Sequence, residues 1–246
     1  LFYLWRPEQL AKGNNFTEAL QSQRLNAAGV DATLAPTQHQ FGGSIGGPIL
    51  KDKLFYFASY EQQKFKAPRQ ILFNFPTGYT TADAARRPVF DFYNAQQAGY
   101  ELTNDAFAIL GRVDWNLNDS NRLNVRYNTS KNNAENAVSR GETSLDPTTN
   151  QAITTNGTEK NRNNIVVGQL ITNLGPSLIN EGRFQFAREE RPRFSNSVIP
   201  QVQTSFATLG ATAFLPTTQY DTRYQGADNV TFIKGNHTMK FGAEYS

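Results

Sequence analysis

The stretch AFAILGRVDWNLNDSNRLNVRYN, residues 106–128, alternates by twos on both sides of a turn. Phe107, Ile109, Val113 and Trp115 share one parity; Arg112, Asp114 and Asn116 share the other. Beyond the turn cluster LNDSN, Leu123, Val125 and Tyr127 alternate with Arg122, Asn124, Arg126 and Asn128. Successive side chains of a strand point to opposite faces, so each half is a strand with one apolar and one polar side. A chain made of such hairpins must find an apolar medium for one face and water for the other.

The pattern recurs along the chain. Residues 38–50 and 54–64 flank the turn KDK, 163–174 and 178–188 flank GPS, and 224–233 and 238–246 flank KGNH. Four hairpins with tight turns near residues 52, 119, 176 and 235 follow. Between them lie 65–104, 130–161 and 189–222, rich in Asn, Thr, Gln, Ala and Pro and expected to be irregular. Long structureless loops count against a compact soluble domain. Outer-membrane barrels combine short periplasmic turns with long extracellular loops. A strand of about 11 residues at ~3.3 Å per residue, tilted ~40°, rises ~27 Å, close to the apolar band of a bilayer. A soluble sandwich explains the alternation equally well, with the apolar face as core. The asymmetry of turns and loops is what favours the membrane.

Composition removes other classes. There is no cysteine, hence no disulfide framework, thiolate site or Cys nucleophile. Only His39 and His237 could supply imidazole, so neither a metal site nor a catalytic triad is expected. The net charge of +3 comes from scattered basic residues, which is no nucleic-acid footprint. No run approaches the ~18 apolar residues of a membrane helix. Mean hydropathy is −0.56, yet 18 Phe and 10 Tyr are present, an unusual aromatic load for so polar a chain. The chain opens on Leu1 and stops in mid-pattern at HTMKFGAEYS, as an excerpt of a longer protein would.

FGGSIGGPILKDKLFYF, residues 41–57, carries glycines at the separation of a phosphate loop, but Pro48 occupies the lysine position and removes a donor. The stretch is therefore a strand and its turn. In a barrel with a plug, Gly42 and Gly46, on one face, would make room for that plug. In the next strand, Leu54, Tyr56, Ala58 and Tyr60 are expected outward, with Ser59 and Glu61 inward.

QFGGSIGGPILKDKLFYFASYEQ resembles the hallmark segment of Oar-like TonB-dependent outer-membrane transporters. The likeness continues in order through GRVDWNLNDSNRLNVRYN, NLGPSLINEGRFQF and DNVTFIKGNHTMKFGAEY. LFYLWRPEQLAKGNNF is similar to the end of an early barrel strand and its loop. The resemblance implies an all-β fold, an antiparallel transmembrane β-barrel segment of about 8–9 strands from a roughly 22-stranded barrel. Residues 1–246 would be one part of that barrel domain. It further implies TonB-energised uptake of an unidentified substrate in the bacterial outer membrane. The implied partners are outer-membrane lipid, the protein's own plug domain, and the TonB complex through an N-terminal region; no nucleic acid is expected. A non-transporting surface β protein, adhesin-like or a structural barrel or sandwich, is the alternative.

No catalytic residue, cofactor or metal site is expected, and the chain is not expected to be an enzyme. Glu189 and Glu190 cannot act as a carboxylate pair, because strand neighbours point to opposite faces. The substrate-contact candidates are the inward Arg112, Asp114, Asn124 and Arg126, with the long loops. AREERPRF, residues 187–194, is expected to be a solvated charged rim.

Overall fold

A computed structural model describes residues 1–7, 36–76, 84–138 and 148–246. Its elements are β1 (Phe2–Arg6), β2 (Thr37–Leu50), β3 (Leu54–Ile71), helix α1 (Arg87–Asn94), β4 (Gly99–Asn116) and β5 (Asn121–Glu135). Next come β6 (Thr148–Thr149), a 3-10 turn (Ile153–Thr155), β7 (Gly157–Gly175) and β8 (Leu178–Ser195). The ribbon strands β9 (Val202–Gln203) and β10 (Thr208–Leu209) precede β11 (Thr217–Lys234) and β12 (His237–Tyr245). Nine strands form one sheet in the order β1-β2-β3-β4-β5-β7-β8-β11-β12, and β6 joins the end of β3. All neighbours in that path are antiparallel. The sheet is open, with β1 and β12 on its edges.

The four tight turns fall where the residue pattern places them. Asp52 and Gly235 take positive φ there, 62° and 58°, as a short reversal between twisted strands requires. The early strand is also present, as β1; the loop expected after it lies outside the described residues.

The strands are longer than the alternation suggests. Segments 65–104, 130–161 and 189–222 are not simply irregular: β3 runs on to Ile71, β4 begins at Gly99, β5 reaches Glu135, and β7, β8 and β11 extend equally far. An 18-residue strand at ~3.3 Å per residue and ~40° tilt rises about 45 Å, well past a ~25 Å apolar band. Above that band the outer face of the wall no longer meets hydrocarbon. Alternation fades there, while backbone pairing continues.

Register assigns the faces. Trp115 pairs with Leu54 and Leu123, and Val113 with Tyr56 and Val125. Tyr127 pairs with Val166, which pairs with Phe186, which is matched by Tyr224. These residues share one face. The opposite face carries Glu61, Arg112, Asp114, Asn124, Arg126, Gln169 and Arg183. A wall that is apolar on one side and charged on the other at the same height fits a barrel with lipid outside and a wet interior. No helix among the described residues is long and apolar enough to span a membrane; the strands cross it.

The glycines of β2 serve the wall itself. A Cβ on Gly42 would strike the Tyr60 carbonyl oxygen, and one on Gly46 would lie 2.9 Å from the Tyr56 carbonyl oxygen and 3.1 Å from the Phe57 ring. The room they leave is thus filled by β3, by Phe57 and, at Gly42, by the ring of Phe2.

Two outcomes check this description in the full-length protein folded into vesicles. Val125→Arg, on the lipid face, is expected to cost about 2–4 kcal/mol in denaturant titrations, and the inward Asn128→Arg less than about 1 kcal/mol. Equal costs would contradict the facing. Gly42→Ala is expected to destabilise by at least about 1 kcal/mol; Gly111→Ala, where a Cβ meets nothing within 4 Å, should be neutral or better.

Candidate functional site

The inner face is built in tiers. At membrane depth, β4 and β5 bring the four sequence candidates together in two adjacent rows: Arg112 lies opposite Arg126, and Asp114 opposite Asn124. Asp114 Oδ1 accepts from Arg112 Nη2 at 2.6 Å and from Asn124 Nδ2 at 2.7 Å. Arg126, opposite Arg112, has no hydrogen-bond or ion-pair partner among the described residues, so the carboxylate engages one guanidinium and leaves the other unpaired. Two strands further on, Glu181 accepts from Gln169 at 2.8 Å and pairs with Arg183 at 3.3 Å.

Higher on the same face, β7 and β8 carry a second polar tier. Arg193 pairs with Glu159 at 3.0 Å, Arg191 pairs with Glu189, and Asn161 donates to Glu189 at 3.0 Å. The side chains of these ion pairs keep a quarter to a half of their surface in solvent. Each pair is therefore worth at most about 1 kcal/mol, and their chief effect is to keep the face hydrated. AREERPRF is divided by parity as expected: Glu189 faces inward, while Glu190 faces outward and pairs with Arg188 at 3.1 Å.

The top tier is a packed cap. Phe65, Ala67 and Leu102 are buried on the inner parity of β3 and β4, as are Ile71 and Tyr100 above them. Onto Ile71 and Tyr100 pack Phe73 after β3, Ala152 before β7, and Phe206, Ala207 and Leu209 between β8 and β11. Tyr93 of α1 meets Phe206 edge-on at 5.0 Å, and Phe75 meets Phe90 at 4.8 Å. Fully buried Asn156 donates to the Tyr100 hydroxyl at 3.3 Å, and the Thr212 hydroxyl donates to the Thr155 carbonyl at 2.6 Å. Three loop excursions that arise from different hairpins therefore form one body over the long-loop end of the inner face.

Polarity inverts with height. At membrane depth the inner parity sets charged and polar residues among apolar ones such as Phe57, Leu110 and Val167, while the outer is apolar; above it, the inner parity of β3 and β4 becomes apolar under the cap and that of β7 and β8 stays polar. The cap was not visible in the sequence, because Phe73, Tyr93 and Phe206 obey no common spacing. The tier of Glu159, Glu189, Arg191 and Arg193 was missed too, although Arg and Glu two apart on one strand mark such a ladder.

Among the described residues no group of His, Asp and Glu could hold a metal ion. His39 faces outward, hydrogen-bonded to the Tyr3 hydroxyl at 2.8 Å, and His237 opens β12 at the opposite, short-turn end of the wall. A shallow groove along Leu123, Leu170, Phe184 and Tyr245 belongs to the lipid-facing side and is not part of this site.

A wall with an apolar exterior, a wet interior, short turns below and a cap above defines an outer-membrane β-barrel. The chain belongs to the family described as outer membrane beta barrel domain, which it matches over residues 13–108 and 79–246. Among curated proteins, none matches the sequence. The fold is similar to that of the outer membrane transporter YddB from Escherichia coli, with a TM-score of 0.61 at 12% identity over 98% of this chain. The chain spans 30% of YddB. The toluene transporter TodX of Pseudomonas putida aligns with a TM-score of 0.34 at 12% identity, over 86% of this chain and 56% of its own. The protein is thus a component of the bacterial outer membrane.

Phe206, 6% exposed, joins the excursions. Phe206→Ala is expected to weaken the cap by about 3–5 kcal/mol. On intact cells this should appear as protease cleavage within 196–216, with the barrel's heat-modifiable gel mobility unchanged.

Proposed function

We propose that the chain is an early part of the barrel of a TonB-dependent outer-membrane transporter of the Oar-like kind, and that the whole protein takes up a substrate from outside the cell. One observation carries this reading: the inner face carries charged and polar side chains at membrane depth, and a packed cap covers its long-loop end. A barrel that only anchors or adheres has no need of a polar interior beneath a built lid. The ordered series of family-like hairpins and the transporter-like fold support the same reading.

In this reading the plug and the TonB-contacting segment are supplied N-terminal to these residues. The cap and upper tier meet the substrate first, and Arg112, Asp114, Asn124 and Arg126 line the path below. Arg126 would offer the free guanidinium to a carboxylate or phosphate on the cargo. The chain contributes passage and recognition, with no reaction of its own.

The test uses the full-length protein in its own outer membrane. Cells with and without the gene are given a mixed extract of siderophores, oligosaccharides and peptides, and depletion is followed by mass spectrometry. Depletion should require the gene and stop when an uncoupler removes the proton-motive force. Depletion that persists with the uncoupler would indicate a passive pore, and no gene-dependent depletion a non-transporting surface barrel. For a depleted acidic compound, Arg126→Gln should raise the half-saturating concentration about tenfold.

A further inference from the structure

Above the apolar band, the outward face of β5 and β7 carries cations with no partner. On β5 the outward residues run Leu123, Val125, Tyr127, Thr129, Lys131; on β7 they run Leu170, Gly168, Val166, Asn164, Arg162, Lys160. A hydrogen-bonded layer marks the boundary: the Tyr127 hydroxyl donates to Asn164 Oδ1 at 2.8 Å, and the Thr129 hydroxyl to the same atom at 3.1 Å. An aromatic ring with its hydroxyl turned to polar neighbours is what a membrane interface selects. One step higher, Lys131 and Arg162 stand directly opposite each other in the register. Lys160 follows two residues along the same strand face, about 7 Å away.

Like charges placed directly opposite destabilise a sheet. Lys131, Lys160 and Arg162 are exposed and have no hydrogen-bond or ion-pair partner among the described residues; Glu135, diagonal to Lys160 on the same face, accepts from Asn133 instead. Glu190 lies across from Arg162 but is engaged by Arg188. Asp105 lies diagonal to Lys131 and directly opposite Lys64, so its field is shared with another cation. These cations lie toward the long-loop ends of their strands, the side of the outer leaflet.

We propose that Lys131, Lys160 and Arg162 form a docking site for the phosphorylated headgroup of an outer-leaflet lipid, with its acyl chains against Val125 and Val166 below. Charge complementarity selects the occupant. A phosphate is doubly acceptor-rich, fits the guanidinium fork of Arg162 and accepts from both ammonium groups. Its anchor in the leaflet places it at the height where Tyr127 and Asn164 set the interface. The site depends only on the barrel facing lipid, not on what the barrel transports.

Full-length protein is purified from outer membranes in mild detergent, and the co-purifying phosphorylated glycolipid is quantified by native mass spectrometry. The triple variant Lys131→Gln, Lys160→Gln, Arg162→Gln should retain at least about tenfold less lipid than the wild type. Lys51→Gln with Lys53→Gln, cations at the short-turn end, should retain as much as the wild type. Equal retention by the triple variant, or equal loss in the control, overturns the assignment. Displacement of the lipid by millimolar inorganic phosphate as readily as by added glycolipid would indicate a free-phosphate site instead. If the triple variant does not fold, the wild type suffices. Its unfolding temperature in detergent should rise with intact outer-membrane glycolipid and not with the enzymatically dephosphorylated form; equal responses to both would sink the proposal.

Discussion

Backbone pairing governs this molecule. Inside hydrocarbon there is no water to satisfy an N–H or C=O, and each one left unpaired costs several kcal/mol. The strands therefore run as long antiparallel ladders, from Leu54 paired with Trp115 to Phe232 paired with Leu178, with register shifts at Pro48/Leu50 and Asn173/Gly175 beside the tight turns. Once the ladder is continuous, side-chain choice is reduced to two faces. A one-residue slip between β4 and β5 would place Arg126 in lipid and Val125 in the lumen. The register is held by that penalty more than by any single contact.

The inversion of polarity with height follows from where water is. At membrane depth the outward residues meet acyl chains and the inward ones meet water, so Val125 and Arg126 are neighbours with opposite tasks. Above the bilayer the exterior is aqueous, and Lys131 and Arg162 replace valines. There the interior becomes the only place to bury an apolar group, which is why Phe65, Leu102 and Tyr100 turn inward under the cap. The cap is a small hydrophobic core built on a membrane wall, and its aromatic pairs draw distant excursions into one body. An ordered cap over a hydrated face restricts how a cargo reaches the interior, which joins the fold to the proposed transport.

The lower half of the wall was legible because hydrocarbon enforces a strict period of two. Phe107, Ile109, Val113 and Trp115, with Leu123, Val125 and Tyr127, show their facing without any coordinates, and so do Arg112, Asp114, Asn124 and Arg126. Even the aromatic β3, ambiguous in composition, has the facing its parity suggested. The upper half was not legible. Residues 130–135, SKNNAE, and 157–163, GTEKNRN, are polar on both parities, and no periodicity separates such a strand from a loop. The glycines of β2 were recognisable as strand glycines, but their near neighbour proved to be the adjoining strand.

Alternation, turn chemistry and the contrast of short and long connections were sufficient to imply strands, hairpins, membrane and facing, because each is a property of residues close in the chain. Tertiary structure alone brought together what lies far apart. Asp114 between Arg112 and Asn124, Phe73 beside Tyr93 and Phe206, and Lys131 opposite Arg162 all depend on which strand lies beside which and in what register. That is settled by the pairing of whole strands, a sum over many backbone bonds that no local pattern encodes.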